Sequence, residues 1–108
     1  MTRPLQVMKF GGTSVGDATC IARSAQIVAS AAKGTRIVVV VSAMSGVTNR
    51  LIDAAKHAGE GDTEAGKALI DALRHQHHAA LAELVTDAAA RPAIEHKLEE
   101  VLAEGKRL

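Results

Sequence analysis

The sequence predicts an α/β protein that begins with a parallel strand–helix–strand unit and continues as helices. Residues 5–10 form an apolar-rich run that ends at Gly11 and Gly12, which is typical of a strand entering a glycine turn. Residues 17–33 repeat apolar side chains at helical spacing. Residues 37–41 are a continuous β-branched run, as in a parallel strand buried on both faces. This order makes a βαβ unit, so both strands should end at the same sheet edge.

Capping residues predict where the first two helices begin. Ser14 and Asp17 fit a loose capping-box pattern ahead of the first helix. After the second strand, Thr48 or Asn49 can cap a helix over residues 50–58. A capping side chain accepts a hydrogen bond from a backbone N–H that the helix leaves unpaired. These positions therefore give approximate starting points for both helices.

The strand signal disappears after the glycine-containing turn at residues 59–62, and two further helices are predicted. Asp62 or Thr63 opens a long helix that should run to about residue 90. Pro92 stands at a first-turn position of another helix, where its missing N–H costs nothing. The two helices should form an antiparallel hairpin.

Composition indicates one small domain with a thin core. Of the 108 residues, 47% are hydrophobic, but 21 residues are Ala and Phe10 is the single aromatic. Because an aromatic side chain buries roughly 150–250 Å², a domain of this length that has almost none is marginal by itself. We therefore expect an incomplete unit.

Charge and hydropathy exclude several classes of partner. Residues 1–54 hold six basic and two acidic side chains, whereas residues 55–108 hold seven basic and ten acidic side chains. This charge is too scattered for a nucleic-acid surface. The chain opens without a signal-peptide run and has no stretch of 18 apolar residues, so we expect no membrane partner and a cytoplasmic location. The single Cys20 has no partner for a disulfide or a zinc site, which agrees with a reducing compartment.

Two loops at the predicted sheet edge could bind a small anion and a polar substrate. Residues 9–16 read Lys-Phe-Gly-Gly-Thr-Ser-Val-Gly. Glycines after a strand let backbone N–H groups approach a phosphate, the following helix N-terminus favours negative charge, and Lys9 supplies an ammonium group. Residues 41–49 read Val-Ser-Ala-Met-Ser-Gly-Val-Thr-Asn, so hydroxyl and amide groups follow the second strand.

Each of these features also has a purely structural interpretation. Two glycines between a strand and a helix make an ordinary tight turn, and Ser, Gly, Thr and Asn are common in any loop that caps a helix. Neither the P-loop pattern nor the dinucleotide-binding pattern is present. His75 and His78 could share a metal ion on one helix face, but the sequence shows no facing ligand. The residues alone leave both interpretations open.

The two loops together resemble the aspartokinases, within the amino-acid kinase superfamily. The motif Lys-Phe-Gly-Gly-Thr-Ser-Val at residues 9–15 looks like the opening signature of that family. The segment at residues 41–49 is similar to the family's second segment, and the intervening helix and the later helix pair also agree. Other superfamily members share a Lys and a glycine turn but not this motif. The resemblance covers essentially the whole chain, but only the start of the family's chain.

The resemblance implies a fold and an activity. The fold is a three-layer α/β/α sandwich with a mainly parallel sheet, and residues 1–108 would be the N-terminal part of its kinase catalytic domain. The rest of that domain and the regulatory domains would be absent. The activity is ATP-dependent phosphorylation of the side-chain carboxylate of L-aspartate to 4-phospho-L-aspartate, the first step of lysine, threonine and methionine biosynthesis. The fragment alone should be inactive, and the whole protein should be a homo-oligomer.

The resemblance also implies roles for individual residues. Lys9 is the catalytic residue, Ser42 and Thr48 contact the aspartate, and Mg²⁺ accompanies ATP with no ligand from this chain. The residues at the ATP phosphates are Lys9, Phe10, Gly11, Gly12, Thr13 and Ser14. Three alternatives stay open: a non-catalytic phosphate-binding module, a helical module whose hairpin at residues 64–105 docks on a partner, or another kinase of the superfamily.

Overall fold

Two parallel strands joined by a helix form the first part of the chain, as the sequence predicts. The computed structural model describes residues 3–107, in two units that divide after Ser45. In the first unit the elements are β1 (Leu5–Phe10), α1 (Ala18–Ala31) and β2 (Arg36–Val41). The strands pair in parallel, with Phe10 opposite Val41. The α/β class and the common sheet edge are therefore confirmed.

The start of α1 is fixed by Asp17. Its backbone is extended and its carboxylate accepts a hydrogen bond from the N–H of Cys20 at 2.8 Å. This bond lowers the pKa of the Asp17 carboxyl from its ordinary value of 3.8, and the nearby charge of Arg23 lowers it further. The predicted helix start is confirmed. Ser14 contacts α1 through its backbone carbonyl, which accepts a hydrogen bond from the hydroxyl of Ser24.

We expect the stability of α1 to depend on pH through Asp17. Because its pKa is depressed in the folded chain, the stabilisation is fully present above pH 3.8 and is lost as the pH falls through the lower folded value. The substitution Asp17→Asn keeps an acceptor for the cap but removes the titration. Thermal melts of the wild type and of this variant, followed by circular dichroism between about pH 5 and pH 2, should converge in acid. A difference between them that does not change with pH would contradict this role of Asp17.

The second strand corrects one expectation from the sequence. Its β-branched run predicts burial on both faces, but residues 38–41 are each between 43% and 61% exposed. The reason is that the sheet formed by residues 3–107 has two strands, and in this first unit α1 packs against β2. Among the described residues of this unit, the buried side chains are those of Phe10, Val15, Ala18 and Ser24.

The second unit is helical. Its elements are α2 (Val47–Gly59), α3 (Thr63–Leu84) and α4 (Arg91–Arg107). α3 packs against both α2 and α4, which agrees with the predicted hairpin. The carboxylate of Glu99 on α4 lies 3.2 Å from Arg74 and 2.7 Å from His78, both on α3. The buried apolar residues are Val47, Ala54, Ile70, Leu73, Ala80, Leu81 and Leu102.

Within residues 3–107, no helix is both long and apolar enough to span a membrane.

Two helix boundaries differ from the sequence prediction. α2 begins at Val47 after Gly46, whose φ of 77° turns the chain without a side-chain cap, so neither Thr48 nor Asn49 is the capping residue. α3 ends at Leu84 rather than near residue 90, because Val85 is extended. The guanidinium of Arg91 donates to the carbonyl of Val85 at 2.7 Å, which stabilises this early end.

Candidate functional site

The turn after β1 contains backbone N–H groups that no part of the described chain accepts. The N–H of Ser14 donates to the carbonyl of Gly11 at 2.9 Å, which closes the turn. Gly12 and Thr13, at its tip, are exposed. Among the described residues 3–107, the N–H groups of Gly12 and Thr13 have no hydrogen-bond acceptor. Adjacent N–H donors ahead of a helix N-terminus suit an anion such as phosphate.

The two glycines of this turn have no structural reason to be glycine. Within residues 3–107, positive φ occurs only at Gly46 and Gly61, so Gly11 and Gly12 adopt backbone angles that other residues tolerate. A Cβ atom added to either would meet no heavy atom within 4 Å. The turn therefore does not need glycine for its own geometry. Open space above the backbone is compatible with close approach of a ligand, and exposed glycines elsewhere, such as Gly34 and Gly59, share it.

The two residues before the turn lie on opposite faces of the sheet. Successive side chains of a strand alternate between faces. Phe10 is buried, with 9% of its surface exposed, whereas Lys9 is exposed. Phe10 therefore belongs to the core through its side chain, and only its backbone can contribute to a site. The ammonium group of Lys9 is accessible to a ligand at the end of β1.

The loop after β2 lies directly beside the glycine turn. The N–H of Ser42 donates to the carbonyl of Phe10 at 3.0 Å, and the N–H of Ser45 donates to the carbonyl of Gly16 at 3.0 Å. Ser42 is exposed at this edge. The structure thus brings the predicted phosphate residues together with Ser42. Thr48 lies exposed in the first turn of α2, in the helical unit.

Two further residues hold this edge together, and of these only Gly16 belongs to the loop motif that the sequence indicates. Ser24 is a buried polar residue of α1, with 8% of its surface exposed, and its hydroxyl donates to the carbonyl of Ser14 at 2.7 Å. Its position between Ile21 and Val28 on the apolar stripe of the helix was the available signal. Gly16 is the other residue: a Cβ there would lie 3.1 Å from the carbonyl oxygen of Gly12.

Other reactive residues do not form a site in the described part of the chain. Residues 3–107 contain no group of three His, Cys, Asp or Glu side chains that could hold a metal ion. Instead of pairing with His75, His78 contacts Glu99. The hydrogen bond with Asp17 and partial burial raise the pKa of the Cys20 thiol, which keeps it protonated and a poor nucleophile.

A groove in the helical unit is a separate feature. It has a volume of about 640 Å³, and small and aliphatic residues of α2 and α3 form most of its lining. Thr63 and Lys67 contribute its polar side chains. None of the residues predicted to bind phosphate or aspartate lines it.

The fold and the sheet edge define a class of protein. A parallel βαβ unit with a glycine turn at its carboxyl edge is typical of α/β proteins that bind phosphorylated ligands. A sequence profile of the amino acid kinase family matches residues 4–105, and the chain belongs to that family.

The most informative relatives are aspartate kinases. Over 57 residues the chain is 58% identical to an aspartate kinase, Ask_LysC, of Stutzerimonas stutzeri, an alignment that covers 52% of this chain and 14% of that protein. It is 51% identical over 49 residues to an aspartokinase of Rickettsia felis, covering 44% and 12% of the two chains. It is 51% identical over 53 residues to an aspartokinase of Mycobacterium tuberculosis, covering 48% and 13%. The matched part therefore spans about one seventh of these relatives.

Proposed function

We propose that the chain is the N-terminal portion of an aspartate kinase catalytic domain. The reaction is transfer of the γ-phosphoryl group of ATP to the side-chain carboxylate of L-aspartate, which gives 4-phospho-L-aspartate, at the start of lysine, threonine and methionine biosynthesis. The observation that carries the proposal is the open glycine turn at the end of β1, joined to Ser42 at the same sheet edge. The aspartate kinase relatives supply the reaction and its acceptor.

The chemistry of this reaction demands charge neutralisation rather than a base. An aspartate carboxylate, with a pKa of roughly 3.9, is already ionised at neutral pH. The obstacle is the approach of an anion to a polyanion, so the protein must align the reactants and neutralise the phosphoryl oxygens. We assign the ammonium of Lys9 and the N–H groups of Gly12 and Thr13 to the phosphates. Gly11, Ser14 and the backbone of Phe10 shape the turn, and Ser42 and Thr48 contact the aspartate.

We propose that Mg²⁺ binds together with ATP in the whole protein. Mg²⁺ prefers carboxylate and water oxygens, and it usually binds together with nucleotide phosphates. We assign no ligand of Mg²⁺ to residues 3–107 and derive no step from this ion. For the whole protein we propose a cytoplasmic homo-oligomer.

The exposed second strand supports the proposal that this chain is a portion of a larger domain. Residues 38–41 leave large parts of their aliphatic surface in water, which costs roughly 25 cal/mol for each Å² not buried. Further strands and helices of the same domain would cover them. The chain by itself also has few residues with which to enclose ATP and aspartate together.

A trapping assay tests the proposed function. The complete polypeptide that carries these residues is mixed with ATP, L-aspartate and hydroxylamine, and the aspartyl hydroxamate formed from the acyl phosphate is measured. We expect hydroxamate that depends on both substrates, and none when L-glutamate replaces aspartate. The 108-residue chain alone should give none. Turnover by that chain would contradict its assignment as an inactive portion, and saturable ATP binding by the complete polypeptide without hydroxamate would favour a phosphate-binding module.

A further inference from the structure

The glycine turn is tied to α1 by one buried side chain. Ser24 is 8% exposed, and its hydroxyl donates to the carbonyl oxygen of Ser14 at 2.7 Å across ten residues of sequence. A buried hydroxyl that has found a carbonyl partner is costly to remove, because the carbonyl then loses its donor. The carbonyl belongs to the residue whose N–H closes the turn onto Gly11. Ser24 thus fixes Ser14, the residue that follows the N–H groups of Gly12 and Thr13 in the turn.

A second contact ties the same segment to the loop after β2. Gly16 accepts from the N–H of Ser45 at 3.0 Å. A Cβ atom at Gly16 would lie 3.1 Å from both the carbonyl oxygen of Gly12 and the hydroxyl oxygen of Ser45, which is tighter than about nine in ten real Cβ contacts. Glycine at this position therefore allows the turn and the second loop to approach each other. In contrast to Gly11 and Gly12, Gly16 has a packing reason to be glycine.

We infer that Ser24 and Gly16 are positioning residues that hold the phosphate-binding turn against α1 and against the loop after β2. This inference rests on the proposed function. Neither side chain is placed to touch a ligand: Ser24 is buried and bonded, and Gly16 has none. They act through the turn, whose N–H groups must point at one place if they are to bind a phosphate together. A turn released from Ser24 spreads over several conformations, and only a fraction of them binds ATP.

The test is steady-state kinetics on the complete polypeptide with ATP and L-aspartate. Ser24→Ala should raise KM for ATP about five- to tenfold, the effect of one lost hydrogen bond, and leave KM for aspartate within about twofold. Ser24→Thr keeps the hydroxyl and should restore most of the ATP affinity. Ser30→Ala removes an exposed hydroxyl from the same helix and should change neither constant. Gly16→Ala displaces both loops and should raise both KM values.

The outcomes separate this inference from the proposed function. An unchanged KM for ATP in a folded Ser24→Ala variant, with a melting temperature close to that of the wild type, overturns the role of Ser24. If Ser24→Ala does not fold, the Gly16→Ala variant provides the test, and unchanged KM values in that variant overturn the inference. A purely structural role would lower the fraction of active enzyme and leave both KM values unchanged. Wild-type protein with no saturable ATP binding overturns the proposed function, and this inference with it.

Discussion

Replacing Lys9 with Ala should lower kcat/KM for phosphoryl transfer by on the order of 10²–10³-fold. The substitution removes the positive charge that the proposed mechanism places at the transferring phosphoryl group, and one preorganised donor at a developing charge contributes about this much. Lys9 is exposed at the end of β1, so its loss should not disturb the core. The measurement is the hydroxamate assay on the complete polypeptide over a range of ATP concentrations.

Lys33→Ala is the matched control for this prediction. Lys33 is also exposed but lies between α1 and β2, at the opposite edge of the sheet. The two variants change the net charge by the same amount, so they share any effect of long-range electrostatics on ATP binding. We expect Lys33→Ala to behave as the wild type. Equal losses in the two variants would mean that Lys9 acts only through overall charge, and no loss in Lys9→Ala would remove it from the site.

Replacing Gly12 with Ala should separate function from stability. Its backbone angles suit alanine and an added Cβ meets no heavy atom within 4 Å, so we expect the folded state to be as stable as before or about 0.4–1 kcal/mol more stable. The same methyl group would occupy the space through which a phosphate reaches the N–H groups of the turn. Losing one hydrogen bond to a charged oxygen should weaken ATP binding roughly 10- to 100-fold.

Gly34→Ala provides the control for the glycine prediction. Gly34 is also exposed, lacks positive φ and has open space around its Cα, but it stands at the other edge of the sheet. Both variants should melt at or slightly above the wild-type temperature, and only Gly12→Ala should lose ATP affinity in a calorimetric titration. If Gly12→Ala unfolds instead, the turn needs glycine for its own geometry. If it binds ATP normally, the phosphate does not approach this turn.

Much of the fold could be predicted from local sequence patterns. β1 lies where its apolar run and following glycines indicate, and Asp17 and Asp62 cap α1 and α3. These features depend on neighbours within four residues, so the sequence carries them directly. The early end of α3 could not be predicted in this way. It depends on Val85 leaving the helical conformation and on Arg91, six residues further along, donating to its carbonyl.

The candidate site, too, could be predicted only in part from the sequence. Its loops, the ammonium of Lys9 and the hydroxyl of Ser42 follow from a motif and from the rule that parallel strands end at one edge. The sequence could not decide whether Gly11 and Gly12 serve a tight turn or a ligand. The structure shows that the space above both glycines is open, so the turn does not need glycine for its own packing. It also reveals Ser24, whose partner at Ser14 is brought close only when α1 folds back along the sheet.

The sequence by itself determined the α/β class, the order of the elements and the motif by which the chain resembles aspartokinases, because local spacing encodes all three. Only the tertiary structure decided how far each strand is covered and which backbone groups face solvent. Burial depends on neighbours that are distant in sequence. A β-branched run such as residues 38–41 therefore has the pattern of a buried strand, but it stays exposed in the two-stranded sheet of residues 3–107. For the same reason, the thin core expected from the composition is accompanied by exposed aliphatic surface on β2.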